Sequence, residues 1–306
     1  MRPRTAILLA ALVLLPVGIG YLVFFGAPLG LLGLESVQHR HSGYAVGYPG
    51  GGASGYARVL TSPLYRRLLG ETFKLAGLCA LLCLLVGYPL AWGLRLASDR
   101  VRRVVVLGVM APVLIGVVVR SLGWLVVLGE FSLVNLVLRT LRLEADLSRR
   151  SHLLSEMAVL GGMVQVFFPF MVLALFGAVG KIDLGLIRAA RNLGATRMRA
   201  FFAVVVPLSL PGAAIGVATV FALATGAYVT VAVVGGVRVR SMAEMAYEES
   251  STLVNWQLGA AVVVAVAVAA GVLVRLLLGG IRRADRLAEG AGRGAIWSRI
   301  STARSR

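Results

Sequence analysis

Six long apolar segments constrain this chain more than any other feature of its sequence. Each is roughly 20 residues or longer, the length that an α-helix needs to cross the hydrocarbon core of a bilayer. The segments cover residues 5–25, 68–92, 104–128, 153–179, 211–235 and 258–278. We therefore expect an all-α, polytopic membrane protein with six transmembrane helices.

The composition supports a membrane environment and argues against a soluble domain. Hydrophobic residues make up 58% of the chain and charged residues 14%, and the mean hydropathy is +0.88. So few charges cannot cover the surface of a soluble globular protein. The first segment follows Arg2 and Arg4, as in a signal peptide, but no small-residue cleavage site follows Phe25. We expect this helix to be retained.

The basic residues are unevenly distributed between the two sides of the predicted helices. With the N-terminus inside, the cytoplasmic segments hold 19 of the 31 basic residues and 4 of the 13 acidic residues. Cytoplasmic loops of membrane proteins are enriched in Lys and Arg, so the pattern predicts that both termini are cytoplasmic. The net charge of +18 is then explained by topology, and we expect no nucleic-acid partner.

Residues 181–211 have the features of a short surface helix followed by a return to the membrane. Asp183 can cap such a helix, and Ala189 and Ala190 can continue it. Gly194 can end the helix, and the chain re-enters the membrane after Pro207 and Pro211. Small residues on one face allow a partner protein to approach closely, and movement of the helix would reach the spans at both of its ends.

This stretch resembles the EAA loop of permease subunits of binding-protein-dependent ABC importers. That loop has Glu-Ala-Ala, a glycine four residues beyond the second alanine, and a proline-containing return to the membrane. Six further motifs resemble the spermidine/putrescine-type branch of the family. They are Ser-Pro-Leu-Tyr at 62–65, Gly-Tyr-Pro-Leu-Ala at 87–91, Arg-Ser-Leu-Gly-Trp at 120–124, Phe-Pro-Phe-Met-Val at 168–172, Gly-Ala-Tyr-Val-Thr at 226–230 and Asn-Trp-Gln-Leu-Gly-Ala-Ala at 255–261.

The resemblance covers residues 60–278 and implies the type I ABC importer permease fold, in a multi-pass protein of the bacterial inner membrane. On this basis the chain divides into four parts. They are an N-terminal transmembrane helix (1–32), a periplasmic loop with an amphipathic helix (33–67), a permease core of five transmembrane helices (68–279) that includes the coupling loop 181–211, and a basic, flexible cytoplasmic tail (280–306).

The resemblance also implies partners. An ABC ATPase dimer would receive the coupling loop, and a periplasmic or lipoprotein solute-binding protein would deliver the solute. A second permease subunit would pair with this chain, as a heterodimer or a homodimer, within membrane lipid. The sequence has no Gly-x-x-x-x-Gly-Lys-Ser/Thr phosphate loop, so we expect ATP and Mg on the partner ATPase and no cofactor on this chain. We predict no catalytic residue and no metal site, and no enzyme activity of the subunit itself.

The residues that the resemblance assigns to ATPase coupling lie in the first half of the loop. They are Asp183, Arg188, Ala189, Ala190, Arg191 and Gly194. Arg188 stands where the family has Glu, which suggests an ATPase with an acidic groove. Polyamine permeases often have an acidic residue where Ala227 stands, so both a polyamine-type solute and a related small organic solute stay open.

Polar side chains at membrane depth are candidates for the translocation pathway. A charge in lipid costs several kcal/mol, so Arg120 must face protein or water. It can line the route and favour an anionic or zwitterionic solute, or it can pair with Glu130 or Glu156. Interhelical hydrogen bonds or an interfacial position would explain the other candidates equally well. The candidates are Arg120, Trp124, Glu156, Gln165, Thr225 and Tyr228.

The alternative function is a secondary transporter or channel that works without ATP. Such carriers usually need ion-coupling carboxylates near the middle of the membrane. We find no Asp or Glu at the centre of any of the six segments. This favours the ATP-driven importer.

Overall fold

The computed structural model describes residues 15–37, 53–128, 147–235 and 239–304, and within these ranges every regular element is helical. In chain order the helices are α1 Leu15–Val37, α2 Ala53–Thr61, α3 Pro63–Leu96, α4 Asp99–Leu114, α5 Val117–Leu128, α6 Leu147–Gly180, α7 Leu184–Asn192, α8 Arg197–Thr225, α9 Met242–Tyr247 and α10 Trp256–Arg304. Turns of π-helix occur at Leu22–Gly26, Phe201–Val205, Val231–Gly235 and Glu248–Thr252. The all-α prediction is confirmed.

Five of the described helices are long and apolar enough to cross a membrane, namely α1, α3, α6, α8 and α10. The helices α4 and α5 pass the same test only as a pair, and they are bent by 95° at the break between them. Counting this pair as one span gives the predicted six.

The prediction of a continuous third span over 104–128 is wrong. The helix ends at Leu114, and Ile115 has the extended backbone angles φ −88° and ψ 129°. Pro112 lies in the last turn and has no N–H to donate to the preceding turn, and Gly116 follows the break. A proline and a glycine so close together weaken the helix enough for the chain to turn.

All five long helices extend beyond their predicted bounds, and α1, α8 and α10 do so by the most. The helix α1 continues to Val37, past the predicted end at residue 32. The helix α8, which forms the predicted fifth span, begins at Arg197, inside the predicted loop 181–211. The last continues to Arg304, where we expected a flexible tail from residue 280. Its glycines lower helix propensity by only about 1 kcal/mol each, and good helix formers separate them.

One compact unit consists of the described parts of residues 1–69 and 242–268. The predicted amphipathic helix lies here, divided at Ser62 into α2 and the start of α3. Tyr65 and Glu249 are buried in this unit, and the Tyr65 hydroxyl donates to Glu249 Oε1 over 2.8 Å. The apolar core around this pair contains Val59, Leu68, Met242, Met245, Ala246, Leu258, Val262 and Val266.

The other unit, residues 70–241 and 269–306, has a core formed mainly by α3, α6 and α8. Small side chains make close helix contacts possible in this core. A Cβ atom at Gly212 of α8 would clash with Ala178 of α6, and one at Gly216 would lie 3.0 Å from the Ala174 Cβ. Gly212 and Gly216 are four residues apart, and so are Ala174 and Ala178. This spacing places the small residues on facing sides of the two helices and lets the backbones approach.

Candidate functional site

The helix α7 is capped at both ends by its own residues. The Asp183 carboxylate accepts a hydrogen bond from the N–H of Gly185 at 2.8 Å, as the sequence predicts for an N-cap. Gly194 has φ +89°, the left-handed conformation that favours glycine. The Gly194 N–H donates to the Arg191 carbonyl and the Ala195 N–H to the Ala190 carbonyl, which is the Schellman pattern of a helix end.

One side of α7 is exposed. Arg188, Ala189, Arg191 and Gly194 are exposed, and the Leu193 side chain, at 90% exposure, is among the most exposed large apolar groups described. The predicted coupling residues are therefore accessible, the capping Asp183 included, and only Ala190 among them is half-buried.

The other side of α7 is anchored. Ile187 packs against a small apolar cluster of buried residues, Val179, Ile182 and Val205, to which Trp92 and Phe201 also contribute. Because these residues come from α3, α6, the segment after α6 and the base of α8, the exposed helix is attached to three spans.

Two of the predicted pathway residues meet between α5 and α6. Trp124 Nε1–H donates to Gln165 Oε1 at 2.6 Å. The indole ring lies over Gly161 and Gly162, where an added Cβ would come within 3.1 Å of the ring at Gly161. An added Cβ at Gly162 would lie 2.9 Å from the Thr230 methyl group. These residues form one polar and aromatic constellation, which we call the Trp124 cluster.

Arg120, one turn before Trp124, contacts the break in the third span. Its Nη1 donates to the Pro112 carbonyl over 2.6 Å, while its Nε is buried and has no hydrogen-bond partner among the described residues. The carbonyl lies in the last turn of α4 and also accepts a hydrogen bond from the Ile115 N–H over 3.3 Å. Glu130, one of the two expected partners, lies outside the described residues.

Glu156, the other expected partner, is bound by a different cation. Lys74 of α3 places Nζ 3.2 Å from both carboxylate oxygens of Glu156 and 3.5 Å from Glu71 Oε2. Sequence reasoning missed Lys74 because it lies within an apolar segment. The signal that was available is the pair of opposite charges at positions 71 and 74, one helical turn apart.

Thr225 and Tyr228 lie near the end of α8. Thr225 is buried, and its hydroxyl donates to the Phe221 carbonyl of its own helix at 2.8 Å. The half-buried Tyr228 lies just beyond the end of α8. No group of His, Cys, Asp and Glu suited to a metal ion occurs among the described residues.

Residues 83–283 match the family of binding-protein-dependent transport system inner membrane components. The chain belongs to this family. It is 31% identical over 229 residues to the spermidine/putrescine transport system permease protein PotB of Haemophilus influenzae, covering 74% of this chain and 78% of that protein. To PotB of Escherichia coli it is 28% identical over 219 residues, with 72% and 78% covered.

A shorter stretch is similar to another permease of the family. Over 71 residues the chain is 44% identical to the molybdenum transport system permease protein ModB of Escherichia coli, which covers 23% of this chain and 31% of that protein. Among solved structures, a bacterial ABC transporter that imports the acidic polysaccharide alginate has a similar fold. Its TM-score is 0.72 at 20% identity, with 92% of this chain and 96% of that chain covered.

These comparisons confirm the family that the EAA-like loop suggests. The chain is the permease subunit of an ATP-driven importer and a multi-pass protein of the bacterial inner membrane. Permeases of this family work with an ATPase and a solute-binding protein, and they have no ATPase domain of their own.

Proposed function

We propose that α7 is the helix through which this permease docks onto its ATPase dimer, and that α7 and both chain termini lie in the cytoplasm. The observation that carries the proposal is the exposed surface of a helix that is capped at both ends and anchored on its opposite side. The concentration of arginines in the same set of loops supports the orientation. ATP and Mg would bind to the partner and not to this chain.

The caps give α7 the mechanical property that docking requires. An isolated helix of nine residues is unstable in water. The Asp183 cap and the Gly194 turn satisfy groups at its two ends, and Ile187 fixes it to the protein. Such a helix can be pushed as one body by a partner, so that ATP-driven closure of the ATPases would move the attached spans.

The charge of α7 specifies the partner surface. Arg188 and Arg191 are exposed, and α7 contains no acidic residue. A partner groove with acidic residues would therefore complement it, whereas the family's glutamate would call for a basic one. We propose that the cognate ATPase carries this charge change in its groove.

The Trp124 cluster and Arg120 are the proposed contribution of this chain to the solute route. An indole face and a glutamine amide can contact a small polar organic solute weakly, as a transport intermediate requires. We propose a polyamine-type or related small organic solute, supported by the similarity to PotB. A periplasmic or lipoprotein binding protein would deliver it, and a second permease subunit, identical or different, would complete the route.

Photo-crosslinking in native membranes tests the docking proposal with a matched pair of positions. Leu193 and Leu114 are 90% and 89% exposed. Asp99 begins α4 on the side that we propose to be cytoplasmic, and Leu114 lies at the other end of α4, about 22 Å along the helix from Asp99. Each leucine is replaced in turn by a photo-crosslinking amino acid. We expect ultraviolet light to join the ATPase subunit to position 193 and not to position 114.

The crosslinked product is identified by mass spectrometry of the excised band. An ATPase subunit found at position 114 alone, or at neither position in membranes that contain the intact complex, would refute docking through α7.

A further inference from the structure

We infer that Phe201, supported by Tyr88 and Ser209, is the positioning residue that makes α3 follow the movement of α7. The inference rests on the proposed docking role of α7. It concerns the base of α8, where three features that the docking role does not use coincide: a π-helical turn, an aromatic contact and a hydrogen bond to a neighbouring span.

The base of α8 is locally irregular. The turn Phe201–Val205 is π-helical, and Pro207 follows two residues later without an N–H to donate. The Ser209 hydroxyl donates to the Val205 carbonyl over 2.7 Å. Insertions of this kind loosen the regular helical ladder and are found where helices bend. Without further contacts, this turn would bend when α7 is displaced, and the displacement would not reach the rest of α8.

Side chains of α3 hold α8 on both sides of the irregular turn. Before Pro207, the Phe201 ring meets the Tyr88 ring edge-on with centroids 5.6 Å apart, and its centroid lies 5.7 Å from that of Trp92. Beyond Pro207, the Tyr88 hydroxyl is hydrogen-bonded to the Ser209 hydroxyl. One tyrosine thus fixes two points that are eight residues apart on α8, and the turn between them is prevented from bending freely.

Phe201 also connects this clamp to α7. Phe201 and Ile187 pack on the same buried residues, among them Ile182 and Val205. Only residues 193–196 separate α7 from α8. Because packed cores shift between discrete arrangements and do not deform continuously, displacement of Ile187 must carry Phe201 with it, and Phe201 carries Tyr88 and Trp92 of α3.

Distance measurements between spin labels test this coupling in the purified complex of this chain with its ATPase and second permease. Cys79 and Cys83 are replaced by alanine, and labels are placed at the exposed Leu193 and Leu85, one on α7 and one on α3. In the otherwise unchanged protein we expect the same label distance with and without ATP and vanadate. In Phe201→Ala we expect the distance to shift by about 2 Å or more on nucleotide trapping, while vanadate-sensitive ATP hydrolysis is retained.

Phe202→Ala is the matched control. Phe202 is the next residue, is 61% exposed and lies outside the apolar cluster, although its ring meets the Phe201 ring edge-on with centroids 5.3 Å apart. Because the ring contacts to Tyr88 and Trp92 are made by Phe201, the Phe202 variant should give a smaller shift than Phe201→Ala. A nucleotide-independent distance in Phe201→Ala, or an equal shift in Phe202→Ala, would overturn the inference. If no ATPase subunit co-purifies with the unchanged chain, the docking proposal is refuted instead.

A milder pair of variants decides the matter if Phe201→Ala fails to assemble. Tyr88→Phe removes only the hydroxyl–hydroxyl contact. Ser209→Ala removes that contact and also the bond from the Ser209 hydroxyl to the Val205 carbonyl. We expect each to produce a nucleotide-dependent distance, and the double variant to add little, because both remove the same bond. Distances that stay independent of nucleotide in all three variants would overturn the inference.

Discussion

At the scale of single residues, several polar groups of the spans bind partners that are not adjacent in sequence. Trp124 donates to Gln165, Lys74 binds Glu156, and Arg120 donates to the Pro112 carbonyl beside the helix break. Burying such groups without partners would cost several kcal/mol each in a membrane. Candidates for the solute route therefore also have structural roles, and a useful experiment must separate the two.

Gln165→Leu tests the structural role of the Trp124 cluster. The substitution removes the acceptor of the indole N–H, so we expect the free energy of unfolding to fall by about 1 kcal/mol. Trp124→Phe removes the donor, and the double variant should be less destabilised than the two single effects predict. Thermal unfolding in detergent measures all three. Strictly additive effects would mean that the bond contributes nothing measurable.

At the scale of elements, α6 and α8 approach each other closely. Their contact is made by glycine and alanine, with Gly212 and Gly216 facing Ala178 and Ala174. Large apolar side chains here would gain nothing from burial, since lipid is equally apolar. The close contact instead provides dispersion and excludes lipid. It also brings the base of α8 next to the end of α6.

Gly212→Ala tests this contact against Gly177→Ala. Both changes favour the helix by up to about 1 kcal/mol, but an added Cβ clashes with Ala178 at position 212 and meets nothing within 4 Å at position 177. We expect the first variant to lose about 1–3 kcal/mol of stability through overpacking and the second to be neutral or stabilised. Unfolding midpoints in detergent provide the comparison, and equal midpoints would contradict the packing described.

The sequence predicts elements better than it predicts contacts, for a physical reason. Apolar length identifies each span, and the local signals Asp183 and Gly194 place both ends of α7. The helix break at Ile115 was not predicted, because an average of hydropathy over a segment contains no information on backbone angles. The hydrogen bond between Trp124 and Gln165 was not predicted, because residue spacing within one helix does not specify which residue of another helix lies opposite.

At the scale of the whole molecule, the chain is a set of membrane-spanning helices with one short, capped and exposed helix, α7, which we propose as the docking site for the ATPase. The family membership is established by the match over residues 83–283. The solute remains a proposal, because the relatives include a polyamine permease and a molybdenum permease. Permeases of this family work with an ATPase, and α7 is the surface that we propose for that connection.

Replacement of Arg188–Gly194 by a flexible Gly-Ser segment of equal length tests that connection most directly. The segment is exposed apart from the half-buried Ala190, so membrane insertion should be unaffected. The measurement is the amount of ATPase subunit that co-purifies with the tagged chain, compared with the unchanged protein. The account predicts normal insertion with loss of the ATPase and of ATP-dependent uptake. Retention of both would contradict it.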